Sequence, residues 1–302
     1  MALKPYLQLV RLPNVSTAAA DSLAGWLLVG GGLAAFDRWL PLAAASMAIY
    51  AAGIALNDVF DYAIDLQERP NRPLPSGRIS RRFAAWLGGV LLALGPCLAA
   101  LSGSWSSLAV ALALVACVLG YNAGLKRTVL GPEVMGACRG LNLLLGMSQA
   151  ENLGGPIGWL AAGSLALFVV GVTWISRSET ETGGRIEGIA AGMILQNAAI
   201  VGLMAVALQP GRFPSPSGDR PIVPPEGLLV LLVVAWVVNL ATGRAIREPI
   251  PIRIQSAVKT GVFALVWLDV GLVAAVRGPM PALAVALLWI PAFFLGHWLY
   301  ST

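Results

Sequence analysis

A polytopic α-helical membrane bundle is the fold this sequence predicts, and three observations predict it. Hydrophobic residues make up 57% of the 302-residue chain and charged residues only 12%, about half the charge a soluble domain carries. The mean hydropathy is +0.76. Apolar runs of bilayer-crossing length recur from end to end with no hydrophilic module between them, so a single domain over 1–302 is expected.

Ten segments come near the ~20 residues a membrane helix needs: roughly 15–36, 39–58, 83–101, 105–122, 132–150, 156–176, 187–209, 226–246, 255–276 and 281–300. The first follows Lys4 and Arg11 without a small-residue cleavage site, and reads as a retained helix rather than a leader. The second ends in a group of carboxylates. The fourth and fifth are shorter and contain Gly or polar residues. Between the seventh and eighth lies a Pro/Gly/Ser-rich connector at 209–226. The last carries the single histidine, His297, beside Trp298 and Tyr300, which suits an interfacial aromatic belt better than catalysis. Cys97, Cys117 and Cys138 lie inside apolar spans without metal-ligand spacing and read as small core residues.

Charge fixes the expected orientation. With the N-terminus in the cytoplasm, fifteen Lys and Arg fall on that side, against Arg38, Arg212, Arg220 and Arg277 outside. The pI near 9.4 therefore reflects topology and anionic headgroups, and no basic run with interleaved aromatics suggests nucleic acid. A bacterial inner membrane is the expected location.

Only 15 acidic residues occur in the chain, yet three are gathered in Asn57-Asp58-Val59-Phe60-Asp61-Tyr62-Ala63-Ile64-Asp65. At about 100° per residue, Asn57, Asp58, Asp61 and Asp65 occupy an arc of roughly 100° on one helical face. Carboxylates so close repel and need a compensator. A magnesium ion suits them, taking one or two carboxylates and completing its shell with water and substrate phosphate oxygens. The loop that follows, Glu68-Arg69-Pro70-Asn71-Arg72-Pro73-Leu74-Pro75-Ser76-Gly77-Arg78, is stiffened by prolines and offers fork-shaped phosphate donors. Tyr121 and Lys126 stand in the next loop on the same side, where a Tyr–Lys pair is otherwise ordinary interface anchoring. Inside the spans, Asp21, Arg139, Asn142 and Asp269 are expected to face the bundle interior, with Arg139 pairing to Asp21 or Asp269.

Asn57-Asp58-x-x-Asp61-x-x-x-Asp65 followed by Arg69-Pro70-Asn71-Arg72-Pro73-Leu74-Pro75-Ser76-Gly77 resembles the first signature of UbiA-type intramembrane prenyltransferases. Tyr121-Asn122-x-x-x-Lys126-Arg127 and the opening Arg11-Leu12-Pro13-Asn14 are similar to that family too. The resemblance implies an all-α bundle of about nine spans around a central cavity open to the cytoplasmic side. It implies transfer of an isoprenyl group from a Mg-bound allylic diphosphate to a small aromatic or lipophilic acceptor. The metal ligands would be Asn57, Asp58, Asp61, Asp65 and Glu181, and the candidate catalytic acids Asp61, Asp65 and Glu181. Substrate contacts would fall to Asn14, Arg72, Tyr121, Lys126, Arg139, Asn142, Arg177 and Arg185. The partners implied are an isoprenyl diphosphate, a lipophilic acceptor and membrane lipids.

The second acidic signature departs from the family's pattern. Arg177-Ser178-Glu179-Thr180-Glu181-Thr182-Gly183-Gly184-Arg185 puts Ser178, Glu181 and Arg185 where three aspartates would stand. Arg185 touching the diphosphate in place of one metal ion is the favoured expectation. A non-catalytic carrier that binds a prenylated or aromatic metabolite is the alternative. Ser176-Arg177-Ser178-Glu179 with Arg139-Gly140-Leu141-Asn142 also resembles the UbiA-like branch of Ebo-type bacterial gene clusters. A CDP-alcohol phosphotransferase is excluded, because its Asp-Gly and Ala-Arg pairs are missing from Phe60-Asp61-Tyr62-Ala63.

Overall fold

A computed structural model describes residues 3–178, 186–213 and 225–300, save the side chains of residues 210 and 296–300. Each of the ten apolar segments contains helix, the first only as far as Leu28, and the described residues contain no strand. A short α1 (Lys4–Leu9) leads into α2 (Leu12–Leu28), α3 (Phe36–Phe60) and the short extension α4 (Tyr62–Glu68). There follow α5 (Arg81–Leu101), α6 (Trp105–Ala123), α7 (Gly131–Met147), α8 (Gly155–Arg177) and α9 (Ile186–Ala207). The chain finishes with α10 (Pro225–Arg247), α11 (Pro251–Arg277), α12 (Pro279–Leu287) and α13 (Trp289–Tyr300).

Seven helices, α3, α5, α6 and α8 to α11, are long and apolar enough to cross a membrane. The shorter α2 and α7 have 17 residues each. The tenth expected span is two helices, interrupted at Leu288. Pro291 accounts for the break: without an N–H it cannot bond the carbonyl of Leu287 four residues back.

Successive helices pack side by side, and α11 returns to lie on α2 and α8. Of the apolar windows, 67% of α11 is buried against 22% of α5 and 28% of α10, so α11 is central and the other two face lipid. Cys97 shows the same partition. It is exposed on α5, not in the core as expected, because that helix buries only a narrow stripe.

Bilayer tails give no hydrophobic drive for helix association, so close contact must come from small residues and polar bonds. At the α2–α7 crossing, a Cβ on Gly146 would stand 1.9 Å from the carbonyl oxygen of Ser22, and one on Gly25 2.1 Å from that of Leu143. The two backbones touch there, and only glycine permits it. Between α9 and α10, Asn197 and Asn239 exchange two amide hydrogen bonds of 2.8 Å. Arg277, at the end of α11, donates to the carbonyls of Leu27 (2.8 Å) and Leu28 (2.6 Å), satisfying the open end of α2.

Candidate active site

The acidic face survives a bend. Asp61 adopts φ −90° and ψ 3°, between α3 and α4. Its N–H still bonds the Asn57 carbonyl and its carbonyl still accepts from the N–H of Asp65, both at 2.9 Å. The i to i−4 ladder is therefore continuous, and Asn57, Asp58, Asp61 and Asp65 remain on one side.

Local packing presents Arg72 to this face. The loop after α4 is pegged by Leu74 and Ile79, both buried in a cluster with Leu9, Ala55 and Ala84. Gly77, at φ 73°, reverses the chain. Arg78 binds the carbonyl of Asn71 and the hydroxyl of Ser76, so it stiffens the loop. Ser80 then caps α5 by accepting from the N–H of Phe83 at 3.2 Å. The guanidinium of Arg72 thereby spans two carboxylates, 2.7 Å from Asp65 Oδ2 and 3.5 Å from Asp58 Oδ1.

Lys126 comes from the turn between α6 and α7. Gly124, at φ 155°, ends α6, and Leu125–Arg127 forms a single 3-10 turn. The ammonium of Lys126 bridges Asn57 Oδ1 at 2.9 Å and Asp61 Oδ2 at 2.7 Å. Arg127 reaches the other Asp61 oxygen at 3.4 Å. Arg177 donates to the carbonyls of Lys126 (3.0 Å) and Thr128 (2.6 Å) and so holds the turn that carries the lysine. Tyr121, half-buried at the end of α6, lies within electrostatic range of Asp61, Arg11 and Arg177.

Arg11 is a member of the site that was not among the expected contacts. Its guanidinium lies 3.9 Å from Asp58 Oδ1, and its backbone is left-handed at φ 45°. A non-glycine residue in that region costs about 1 kcal/mol or more and is retained where surroundings hold it. Here its carbonyl accepts from the N–H of Asn14 at 2.8 Å, which starts α2. The available signal was an arginine directly before a helix that opens Leu12-Pro13-Asn14, on the side where the other cations gather. Asn14 itself is half-buried on the first turn of α2.

Arg139 and Asn142 belong to a different place. Arg139 pairs with Asp21 at 2.6 Å and bonds the carbonyl of Thr17 at 2.9 Å. Asn142 donates to Asp21 (2.9 Å) and to the Ala18 carbonyl (2.8 Å), while Asp269 on α11 lies beside Asp21, close enough to interact with it electrostatically. This knot joins α2, α7 and α11 about 10 Å along α2 from Asn14. The expected Arg139–Asp21 pair is present. A cavity of about 250 Å³ lined by Trp26, Gly30, Arg38 and Gln149 lies farther still, at the opposite end of α2. Trp26 Nε1 and Arg38 Nη1 there are bonded to the carbonyls of Gly32 and Ser102. Glu181 and Arg185 lie outside the described residues.

Among the described residues no three Asp, Glu, His or Cys side chains converge to hold an ion by themselves. Two cations divide the acidic face into pairs instead, Asp58 with Asp65 and Asn57 with Asp61. The second pair still fits magnesium. One carboxylate and one amide oxygen already surround a cation, and both are the hard donors Mg²⁺ takes while water and phosphate complete its shell. Among the described groups, three carboxylates facing Arg11, Arg72, Lys126 and Arg127 leave one excess positive charge to receive a polyanion.

A membrane bundle gathering carboxylates and cations at one end is of the class that can hold a metal-carried phosphate ester. The chain belongs to the UbiA prenyltransferase family, whose profile matches residues 19–210, and it is an integral, multi-pass membrane protein. Among similar sequences, the digeranylgeranylglyceryl phosphate synthase of Metallosphaera sedula is 37% identical over 147 residues, 48% of this chain and 51% of that protein. The synthase of the same name from Thermococcus kodakarensis is 31% identical over 175 residues, 57% of this chain and 61% of its own. The chain thus spans about half the length of the curated relatives it matches. Among solved structures, the apo UbiA homolog from Aeropyrum pernix K1 superposes with a TM-score of 0.67 at 20% identity, covering 87% of this chain and 97% of that one. The UbiA homolog from Archaeoglobus fulgidus bound to GPP and Mg²⁺ gives 0.58 at 15% identity, covering 86% and 99%. These likenesses establish the fold.

Proposed function

We propose that this chain catalyses Mg²⁺-dependent transfer of an isoprenyl group from an allylic diphosphate to a lipophilic acceptor held in the membrane. The observation that carries the reading is the convergence of Asn57, Asp58, Asp61 and Asp65 with Arg11, Arg72 and Lys126, which come from three separate parts of the chain. The relatives' name, digeranylgeranylglyceryl phosphate synthase, favours a glyceryl phosphate lipid as acceptor over an aromatic one. The basic loops support a cytoplasmic site; the matched relatives are archaeal, so the expected bacterial inner membrane gains no support from them.

In this reading Asn57 and Asp61 hold the metal, with Asp58 and Asp65 completing the acidic face. The bound ion would supply positive charge to the leaving diphosphate. Arg72 and Lys126 bind the diphosphate oxygens, Arg72 with a fork that can take two at once. Arg11 orders Asp58 and adds a third positive charge. Together these groups favour bond breaking by meeting the charge that develops on the diphosphate. Asp65 is the described carboxylate proposed to take the acceptor's proton.

Thermal stability tests the reading whatever the acceptor is. Farnesyl or geranylgeranyl diphosphate with Mg²⁺ is expected to stabilise the protein by about 2.7 kcal/mol at one hundred times Kd, and Asp61→Asn to abolish the effect. No stabilisation with any chain length would overturn the transferase and favour the carrier.

A further inference from the structure

Resting on that reading of the site, we propose that the ammonium of Lys126 is the resident occupant of the divalent-cation position, displaced when metal and diphosphate arrive together. Its two partners, Asn57 Oδ1 and Asp61 Oδ2, are the same two oxygens that fit the ion. The ammonium holds them at 2.9 and 2.7 Å, whereas Mg²⁺ requires oxygens at about 2.0–2.1 Å. Both cations cannot share that pair. Only 11% of the lysine side chain is exposed, so the contact is poorly screened.

Lys126 is built to leave. Its backbone is fixed, with its carbonyl held by Arg177, while the ammonium sits on a flexible four-carbon stem. Arg72 is held differently: its single nitrogen Nη1 bridges Asp58 and Asp65, so that nitrogen would have to give up two carboxylates at once. When Lys126 swings away, Asp61 keeps a cation partner in Arg127, 3.4 Å from its other oxygen.

Charge decides what can cause the exchange. The described groups already carry one excess positive charge, so a divalent ion alone would raise it to three and meet repulsion from Arg11, Arg72 and Lys126. A diphosphate trianion brought with the ion removes that excess and offers the lysine new oxygen partners. The site is therefore closed to free metal and open to the metal–diphosphate complex.

Binding of Mn²⁺ to the purified full chain, followed by electron paramagnetic resonance with and without inorganic pyrophosphate, tests this. Wild type is expected to bind Mn²⁺ weakly alone and strongly with pyrophosphate. Lys126→Met is expected to bind Mn²⁺ alone about tenfold more tightly, and pyrophosphate with Mn²⁺ about tenfold more weakly. Where Lys126→Met fails to fold, Lys126→Gln carries the same expectation. Unchanged or weaker Mn²⁺ binding in the variant, with wild type still binding Mn²⁺–pyrophosphate and Asp61→Asn not, would overturn the exchange and leave the transferase reading standing. No Mn²⁺–pyrophosphate binding by wild type would overturn both.

Discussion

Two clusters in this molecule use the same chemistry to opposite ends. The knot of Asp21, Arg139, Asn142 and Asp269 joins three helices, with the side chains of Asp21 and Arg139 0% and 8% exposed. The cluster of Asn57, Asp58, Asp61, Asp65, Arg72 and Lys126 stands at the end of the bundle, with Asp61 21% and Arg72 22% exposed. In the first, the guanidinium and the amide are committed to the backbone of α2 as well as to carboxylates, so nothing can leave without orphaning a neighbour. In the second, the cations arrive on loops and on flexible stems. An ion pair holds helices together where its partners are dry and fixed. It becomes an exchangeable site where one partner can move into water.

The largest effect should come from breaking the knot. Asp21→Ala leaves the buried Arg139 without its carboxylate and is expected to cost about 3–5 kcal/mol, read as thermal unfolding in detergent. Equal stability of this variant and wild type would contradict a structural role. Asp61→Asn is the counterpart in the other cluster. It should lower turnover of an allylic diphosphate about 10²–10³-fold while stability changes by about 1 kcal/mol or less. A stability loss as large as that of Asp21→Ala would erase the distinction between the two regions.

Arg177→Ala sharpens the comparison, because it acts on the turn carrying Lys126. Pyrophosphate affinity in the presence of Mn²⁺ should fall about tenfold, with Mn²⁺ binding alone little altered. The smallest change is expected where both partners are neutral. Asn239→Leu removes the reciprocal amide pair with Asn197, and double-mutant measurements of such bonds in membranes average about 0.6 kcal/mol.

The contrast is partly legible in the sequence. Hydrophobic period and length locate all ten helical segments, because a bilayer leaves the backbone no alternative to helix. The break at Leu288 is written in Pro291 but hidden by the apolarity on both sides. The acidic face follows from spacing alone, since its residues lie within three turns of one helix. Which cation meets which carboxylate does not, because Lys126 is 69 residues from Asn57 and the pairing depends on how α6 and α7 pack on α3. Sequence favours Arg139 and Asn142 as substrate contacts equally with structural ones. Burial and bonds to the α2 carbonyls give both residues a helix-joining contact, which a one-dimensional reading cannot register. Arg11 stands in a segment the sequence does single out, but its pairing with Asp58 is a long-range contact that spacing cannot supply.

The knot also has a history within each molecule's synthesis. Asn142 follows Asp21 by 121 residues, and Arg277 follows Leu27 by 250. At about 5–20 residues per second, α2 waits roughly 6–24 s before its carboxylate's α7 partners have been made. It enters the bilayer carrying an acid whose counterion is still unwritten, and its last carbonyls are closed only when α11 emerges. Helix α2 is therefore made well before α7 and α11 and is finished only with them.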